Sequence, residues 1–282
     1  MYSSLPQILI PVDFSEQSLI ALDQTYNLAK FYNAELTLLY VIDQSHEPAL
    51  EEAAIKAKLE DLAAAVSKKH NITVNPIIAK GPVSDEILEV AVNSKTKMIL
   101  MGTNGTKGST EKAVGSNALK VVEKAQCPVI TIKGKHMREG CKNIVLPIDL
   151  TKESLQKVKK AIELGKLYGA TIRMVSVSFS QDKSLLNRLM RKIEEATFLI
   201  KSEVNCTSEI INAIESPDML AKKVLEYSDK VNADLIMIMT QQEDESKHIP
   251  IATNSAAHYI ISNSDVPVMS IVPSLKLQKI QD

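Results

Sequence analysis

Tryptophan is absent from the 282 residues of this chain, and aromatic residues make up only 4% of them. Stacked aromatic platforms of the kind that bind single-stranded nucleic acids are therefore not expected. Positive charge is not in excess either, because 33 Lys and Arg residues are balanced by 34 Asp and Glu residues. With a net charge of −1, the chain has no overall field that would attract nucleic acid or an anionic membrane.

Cysteine is scarce as well, since the chain contains only Cys127, Cys141 and Cys206. Their number is odd and none has CxxC spacing, so neither a disulfide framework nor a zinc site is indicated. No stretch approaches the roughly 20 apolar residues that cross a bilayer, and the first residues lack the basic and apolar pattern of a secretory signal. These features predict a cytoplasmic protein in a reducing environment.

The two halves of the chain repeat one another in order. ILIPVDFS near the start is matched by IVLPIDLT at the start of the second half, which aligns Asp13 with Asp149. Near the end of each half, CPVITIKG is matched by VPVMSIVPS. Such a match over whole halves indicates a duplicated domain. We therefore predict a first domain at 1–135 and a second at 142–274, joined by a polar linker.

Hydrophobic periodicity alternates between strand and helix in both halves. In the first half, strands are predicted at 8–13, 35–42, 72–81, 97–102 and 128–133, and helices at 18–32, 47–70, 84–94 and 117–125. In the second half, strands are predicted near 143–148, 171–177, 207–213, 234–240 and 267–272, and helices near 152–168, 182–203, 218–230 and 253–263. This alternation predicts an α/β fold with two tandem, doubly wound parallel-sheet domains of five strands and four helices each.

Four of the nine glycines lie within one segment, MGTNGTKGSTEKAVGSNA, at 101–118. The segment joins a predicted strand to a predicted helix, and ligands of open α/β sheets bind at such strand ends where the strand order reverses. Glycine lets the backbone approach a phosphate, and the first amides of a helix attract anions. Asp13, at the end of the first strand, is suited to accept a hydrogen bond from a ribose hydroxyl. The spacing matches neither the P-loop nor GxGxxG.

Two plainer interpretations of these residues stay open. The glycines can belong to a surface loop in which they only relieve crowding. Asp13 can be a carboxylate that the helix dipole favours at a helix start, and its match to Asp149 supports that interpretation.

The spacing of the glycines resembles a known motif. Gly102-x-x-Gly105, nine residues, and then Gly115-Ser116 is similar to the GxxG-x9-G[S/T] motif in the ATP-binding branch of the universal stress protein family. ILIPVDFSEQS resembles the first strand of that family, and AQCPVITIK resembles its last. The resemblance extends over the whole chain as two tandem domains.

This resemblance implies that the first domain binds ATP, together with Mg²⁺ or Mn²⁺. The residues implied at the adenine and ribose are Pro11, Val12, Asp13 and Val41, with Asp13 on a ribose hydroxyl and backbone atoms of Val41 at the adenine edge. Those implied at the ribose and first phosphates are Met101, Gly102, Asn104 and Gly105. Those implied at the β- and γ-phosphates and the cation are Gly115, Ser116, Asn117 and Ala118.

The second half departs from the motif. Met239 and Gln242 stand in place of the first two glycines, and Asn254 stands in place of the third. The acidic residues at 243–245 would repel a phosphate. We therefore expect that the second domain does not bind ATP through this motif.

The function expected from the first domain is regulation by ATP, through nucleotide-dependent conformation or partner binding. No catalytic residue can be named, but slow ATP hydrolysis or adenylyl transfer stays open as an alternative. A scaffold whose ligand binds the second domain is the other alternative. The resemblance also implies pairing of the last strands, PVITIK and PVMSIV, as a pseudo-dimer within the chain, and further homodimerisation. Neither a nucleic-acid nor a membrane partner is expected.

Overall fold

Each half of the chain folds around its own parallel sheet in a computed structural model of the protein. The structure describes residues 5–43, 49–103, 114–133, 140–151, 154–178, 182–212, 219–240 and 254–273. The chain divides into two compact units, Met1–Met137 and Arg138–Asp282. The predicted fold class, two tandem doubly wound α/β domains, is confirmed.

The first unit contains five strands and five helices among its described residues. The strands are β1 (Gln7–Pro11), β2 (Glu35–Ile42), β3 (Val74–Lys80), β4 (Thr96–Gly102) and β5 (Val129–Ile132). The helices are α1 (Glu16–Asp23), α2 (Tyr26–Tyr32), α3 (Ala49–His70), α4 (Val83–Asn93) and α5 (Ser116–Lys124). The strand order is β3-β2-β1-β4-β5, and neighbouring strands pair in parallel.

The second unit has the same strand arrangement. Its strands are β6 (Asn143–Pro147), β7 (Thr171–Ser178), β8 (Cys206–Asn212), β9 (Leu235–Met239) and β10 (Val268–Ile271). Its helices are α6 (Ser154–Tyr168), α7 (Lys183–Lys201), α8 (Met219–Lys230) and α9 (Asn254–Asn263). The order is β10-β9-β6-β7-β8, again with parallel pairs.

The strand at the centre of each sheet is buried on both faces. In β1, Ile8, Leu9 and Ile10 have no solvent-exposed surface. The corresponding residues of β6, at 144–146, are also fully buried. Continuous apolar runs of this kind occur where helices cover both faces of a parallel sheet.

The helix predicted at 18–32 is two helices, and a back-bonded hydroxyl lies where they divide. The hydroxyl of Thr25 donates to the carbonyl of Ala21 at 2.8 Å, and the Thr25 amide donates to Leu22 instead at 3.0 Å. Such back-bonding competes with the helical ladder, and the chain turns between α1 and α2. In the second unit, Ala161 aligns with Thr25, and α6 is continuous. None of the helices in the described ranges has the length and apolar composition to cross a membrane.

The strand order places one crevice in each sheet. β1 lies between β2 and β4, so the chain moves to one side of β1 first and to the other side later. β6 lies between β7 and β9 in the same way. Connections leave the carboxyl ends of these strands in opposite directions, and the crevice between them is where ligands of such folds bind.

Gly102, the last residue of β4, lies close to the backbone of α1. A Cβ at this position would lie 3.0 Å from the carbonyl carbon of Gln17 and 3.1 Å from its oxygen. We expect Gly102→Ala to lower the free energy of unfolding of the first unit by about 1–3 kcal/mol. Hydrogen exchange of the β1 and β4 amides in the full chain measures this effect.

Gly165→Ala in α6 is the matched control for this substitution. Its added Cβ would meet only the methyl groups of Val204 and Ile172, the nearest at 3.3 Å, and alanine favours a helix over glycine. Its effect should be smaller than that of Gly102→Ala, because methyl groups can move aside more readily than backbone. Unchanged exchange of the β4 amides in Gly102→Ala would show that the Gln17 contact does not constrain this position.

Candidate functional site

Three strand ends of the first unit meet at one edge of its sheet. Pro11 at the end of β1 pairs with Leu39, which places it beside the last residues of β2. The amide of Val12 donates to the carbonyl of Leu39 at 2.8 Å and continues this pairing beyond β1. β4 lies on the other side of β1 and ends at Gly102. The predicted residues of β1, β2 and β4 therefore lie at one edge of the sheet.

The start of α5 is tied to the end of β4. The amide of Gly115 donates to the carbonyl of Thr103 at 2.7 Å. Gly115 is the N-cap of α5, and no side chain caps the helix there. The first amides of a helix have no partner within the helix and carry partial positive charge. This helix start therefore offers N–H groups to an anion at the edge of the sheet.

Asp13 has a structural role in the turn that leads into α1. Its Oδ1 accepts a hydrogen bond from the amide of Ser15 at 3.0 Å and another from the Ser15 hydroxyl. The Ser15 hydroxyl in turn accepts from the amide of Ser18 at 3.2 Å and caps α1. These contacts fix the Asp13 carboxylate at the exit of β1.

The predicted site residues differ in exposure. The side chains of Val12, Met101 and Ala118 are buried, so these residues can offer a ligand little more than backbone atoms. The half-buried group is Pro11, Asp13, Val41, Gly102 and Gly115, and the exposed pair is Ser116 and Asn117. Asn104 and Gly105 lie outside the described residues. In the described ranges, no cluster of three or more His, Cys, Asp or Glu residues is placed to hold a metal ion.

An aromatic contact beside Asp13 was not predicted from the sequence. Phe14 has a φ of 59°, in the left-handed region that non-glycine residues rarely adopt. Its ring stacks on Tyr40 with 5.3 Å between centroids, and the Lys58 ammonium lies 4.1 Å from the Phe14 centroid. These contacts hold the backbone of the β1 exit in an unusual conformation next to the crevice.

The second unit has a pocket at the corresponding edge of its sheet. Its walls include Pro147, Ile148, Asp149, Val177, Ile238, Met239, Ala256 and Ala257. By repeat alignment and strand register, these residues correspond to Pro11, Val12, Asp13, Val41, Met101, Gly102, Asn117 and Ala118. Residues predicted to share a site in the first unit thus have counterparts that line one pocket in the second.

A buried lysine distinguishes the second unit from the first. Lys157 in α6 is 4% exposed and stands where the first unit has Ala21. Its ammonium donates to the carbonyl of Pro147 at 2.6 Å. Burial lowers the pKa of Lys157, and the attraction of Asp149 only partly opposes that effect. The sequence alone could have pointed to Lys157, because the repeat aligns this lysine with Ala21, a core residue of the first unit.

Asp149 carries the opposite charge in the same pocket. Its Oδ1 accepts from the amide of Thr151 at 3.0 Å, from the Thr151 hydroxyl, and from the hydroxyl of Ser154 at 2.6 Å. Burial raises the pKa of Asp149, but the Lys157 charge and these hydrogen bonds outweigh it, so the pKa lies below its ordinary value.

We expect Asp149→Asn to destabilise the second unit by about 2–4 kcal/mol at neutral pH, because Lys157 would lose its compensating charge. A carboxyl whose pKa is lowered by folding stabilises the protein above its unfolded pKa. The wild-type second unit should therefore lose stability as the pH falls below the ordinary Asp value of 3.8, and the variant should lose less. Hydrogen exchange of the β6 amides at neutral and acid pH tests this.

Asp13→Asn in the first unit is the matched control, since Ala21 stands there in place of Lys157. Its effect at neutral pH should be smaller than that of Asp149→Asn. Equal losses in the two variants would contradict the coupling between Asp149 and Lys157.

Comparisons with known proteins agree with the duplicated fold. A universal stress protein from Methanocaldococcus jannaschii, MJ0531, is 30% identical over 138 residues, which cover 45% of this chain and 81% of that protein. The universal stress protein YxiE from Bacillus subtilis is 28% identical over 145 residues, which cover 45% of this chain and 98% of that protein. The crystal structure of a universal stress protein from Archaeoglobus fulgidus superposes with a TM-score of 0.72 at 20% identity, over 96% of this chain and 97% of that one.

The family model described as "Universal stress protein family" matches this chain twice, at residues 5–133 and 140–271. These two matches account for most of the sequence and follow its internal repeat. The chain therefore belongs to the universal stress protein family, as a member with two tandem domains.

Proposed function

We propose that the first unit binds an adenine nucleotide, ATP with Mg²⁺ or Mn²⁺, and that this nucleotide regulates the protein. The observation that carries the proposal is the meeting of the β1, β2 and β4 ends with the uncapped start of α5. Nucleotide-binding and dinucleotide-binding α/β folds combine two such features. One is a set of strand ends where the strand order reverses, and the other is an open helix start.

Each part of the site has a chemical role in this proposal. The amides that follow Gly115 donate to phosphate oxygens, and the helix dipole adds to the attraction. Asp13, fixed by Ser15, accepts a hydrogen bond from a ribose hydroxyl. Backbone atoms of Val41 meet the edge of the base. The cation, when bound, supplies positive charge that neutralises the phosphates.

At the two described glycine positions of the phosphate half, Gly102 and Gly115, the second unit has other residues. Met239 pairs with Ile271 as Gly102 pairs with Ile132, so the strand register places a long side chain where the first unit has glycine. Asn254, the first residue of α9, aligns with Gly115. We therefore propose one nucleotide site in each chain.

Regulation follows from binding by mass action. A nucleotide that binds only the folded first unit stabilises it in proportion to the logarithm of its concentration over the dissociation constant. A bound nucleotide would contact the ends of β1, β2 and β4 and the start of α5 at the same time. Nucleotide binding thus changes the stability of that edge of the sheet, and any partner that recognises the edge responds to it.

We expect Gly115→Leu to weaken ATP binding by at least about tenfold, because a Cβ at this position would lie 3.2 Å from the Thr103 carbonyl oxygen and would displace the start of α5 from the end of β4. Gly115 has a φ of −60°, which leucine can adopt. Isothermal titration of the full chain with Mg-ATP measures the affinity, and hydrogen exchange of the β4 amides checks that the unit remains folded.

Asn254→Leu at the start of α9 is the matched control and should leave the affinity unchanged. Wild-type affinity in Gly115→Leu would refute the site in the first unit. An equal loss in Asn254→Leu would refute the proposal that the second unit takes no part.

A further inference from the structure

The pocket of the second unit is not used by the proposed nucleotide site. It lies at the carboxyl ends of β6, β7 and β9, and most of its wall is apolar, including Val175, Val177, Leu189, Val224 and Ile260. The cavity has a volume of about 50 Å³. That volume corresponds to about three to five water-sized positions, which suits a molecule of a few non-hydrogen atoms rather than a nucleotide.

Two charged side chains, Asp149 and Lys157, also line this cavity. Asp149 is held by the hydrogen bonds from Thr151 and Ser154, so its position does not depend on a ligand. The Lys157 ammonium has three N–H groups, and the carbonyl of Pro147 accepts from one of them at 2.6 Å. A ligand oxygen beside Lys157 would give this buried cation a further acceptor, which lowers the cost of burying it.

The charges of the pocket limit what this ligand can be. Lys157 contributes one positive charge and Asp149 one negative charge, so the pair is balanced before a ligand enters. A carboxylate or an ammonium group would leave one charge uncompensated among apolar side chains, at considerable cost. An uncharged head group avoids that cost and can still accept from Lys157.

We propose that the pocket of the second unit binds a small uncharged molecule with an apolar body and a head group that presents an oxygen acceptor. The oxygen of the head group accepts a hydrogen bond from Lys157, and the apolar body contacts Val177 and its neighbours. This site is separate from the proposed nucleotide site, since all of its residues belong to the second unit.

Butanamide, with butanoate and butylammonium as charged counterparts of similar size, tests the proposal on the wild-type chain. Methyl groups of Val177 and Ile238 report binding in NMR titrations of protein with labelled valine and isoleucine. Butanamide should shift these signals with an affinity in the millimolar range, and each charged probe should bind at least about tenfold more weakly. Equal or tighter binding of either charged probe, or unshifted signals with butanamide, would overturn the proposal.

Two substitutions test the roles of charge and space. Lys157→Met leaves the Asp149 charge uncompensated, so the preference should change from butanamide to butylammonium. Ala257→Leu in α9 fills the pocket and should abolish binding, while Ala118→Leu, the matched change in the first unit, should not. An unchanged preference in Lys157→Met, or equal effects of the two leucine variants, would refute the assignment. The comparison of the three probes on the wild-type chain decides the matter even if a variant fails to fold.

Discussion

The burial of a parallel sheet on both faces is the constraint on which the rest of each unit depends. Parallel strands send all their carboxyl ends to one edge, and helices that cover both faces leave that edge as the place where backbone groups can meet a ligand. β1 and β6 are the central strands, and both are fully buried over three residues. The residues that follow them, Asp13 and Asp149, consequently lie at corresponding points of the two crevices.

Duplication gives two copies of this crevice, and a few substitutions give them different chemistry. Glycine at 102 lets β4 approach α1 closely, whereas Met239 occupies the same register in the second unit. Ala21 in α1 corresponds to Lys157 in α6, and the Lys157 ammonium donates to the carbonyl of Pro147 at the end of β6. The first unit therefore has glycine at the end of β4, and the second has a pocket lined by Asp149 and Lys157.

The sequence predicted much of the fold because its signals were local or periodic. The alternation of apolar runs located the strands, and the repeat located the corresponding elements of the second half. The break after α1 was missed because it coincides with a local hydrogen bond, from the Thr25 hydroxyl to Ala21, at a position where the periodicity continues. A pattern of hydrophobicity does not contain that information.

The site was predictable in outline and not in its electrostatics. Strand ends and the glycine at 115 could be placed from spacing, but Asn104 and Gly105 fall outside the described residues and their roles stay predictions. Lys157 was missed because a lysine on a helix is ordinarily assigned to the surface. The close approach of Gln17 to Gly102 was missed because it joins segments far apart in sequence.

The most direct test of this account is the nucleotide that the protein retains on purification. Denaturing the full chain and separating the released material by ion-exchange chromatography gives both its identity and its amount per chain. The account predicts about one adenine nucleotide per chain, since the second unit has Met239 and Asn254 in place of Gly102 and Gly115. Two per chain, or none even after incubation with Mg-ATP, would contradict it.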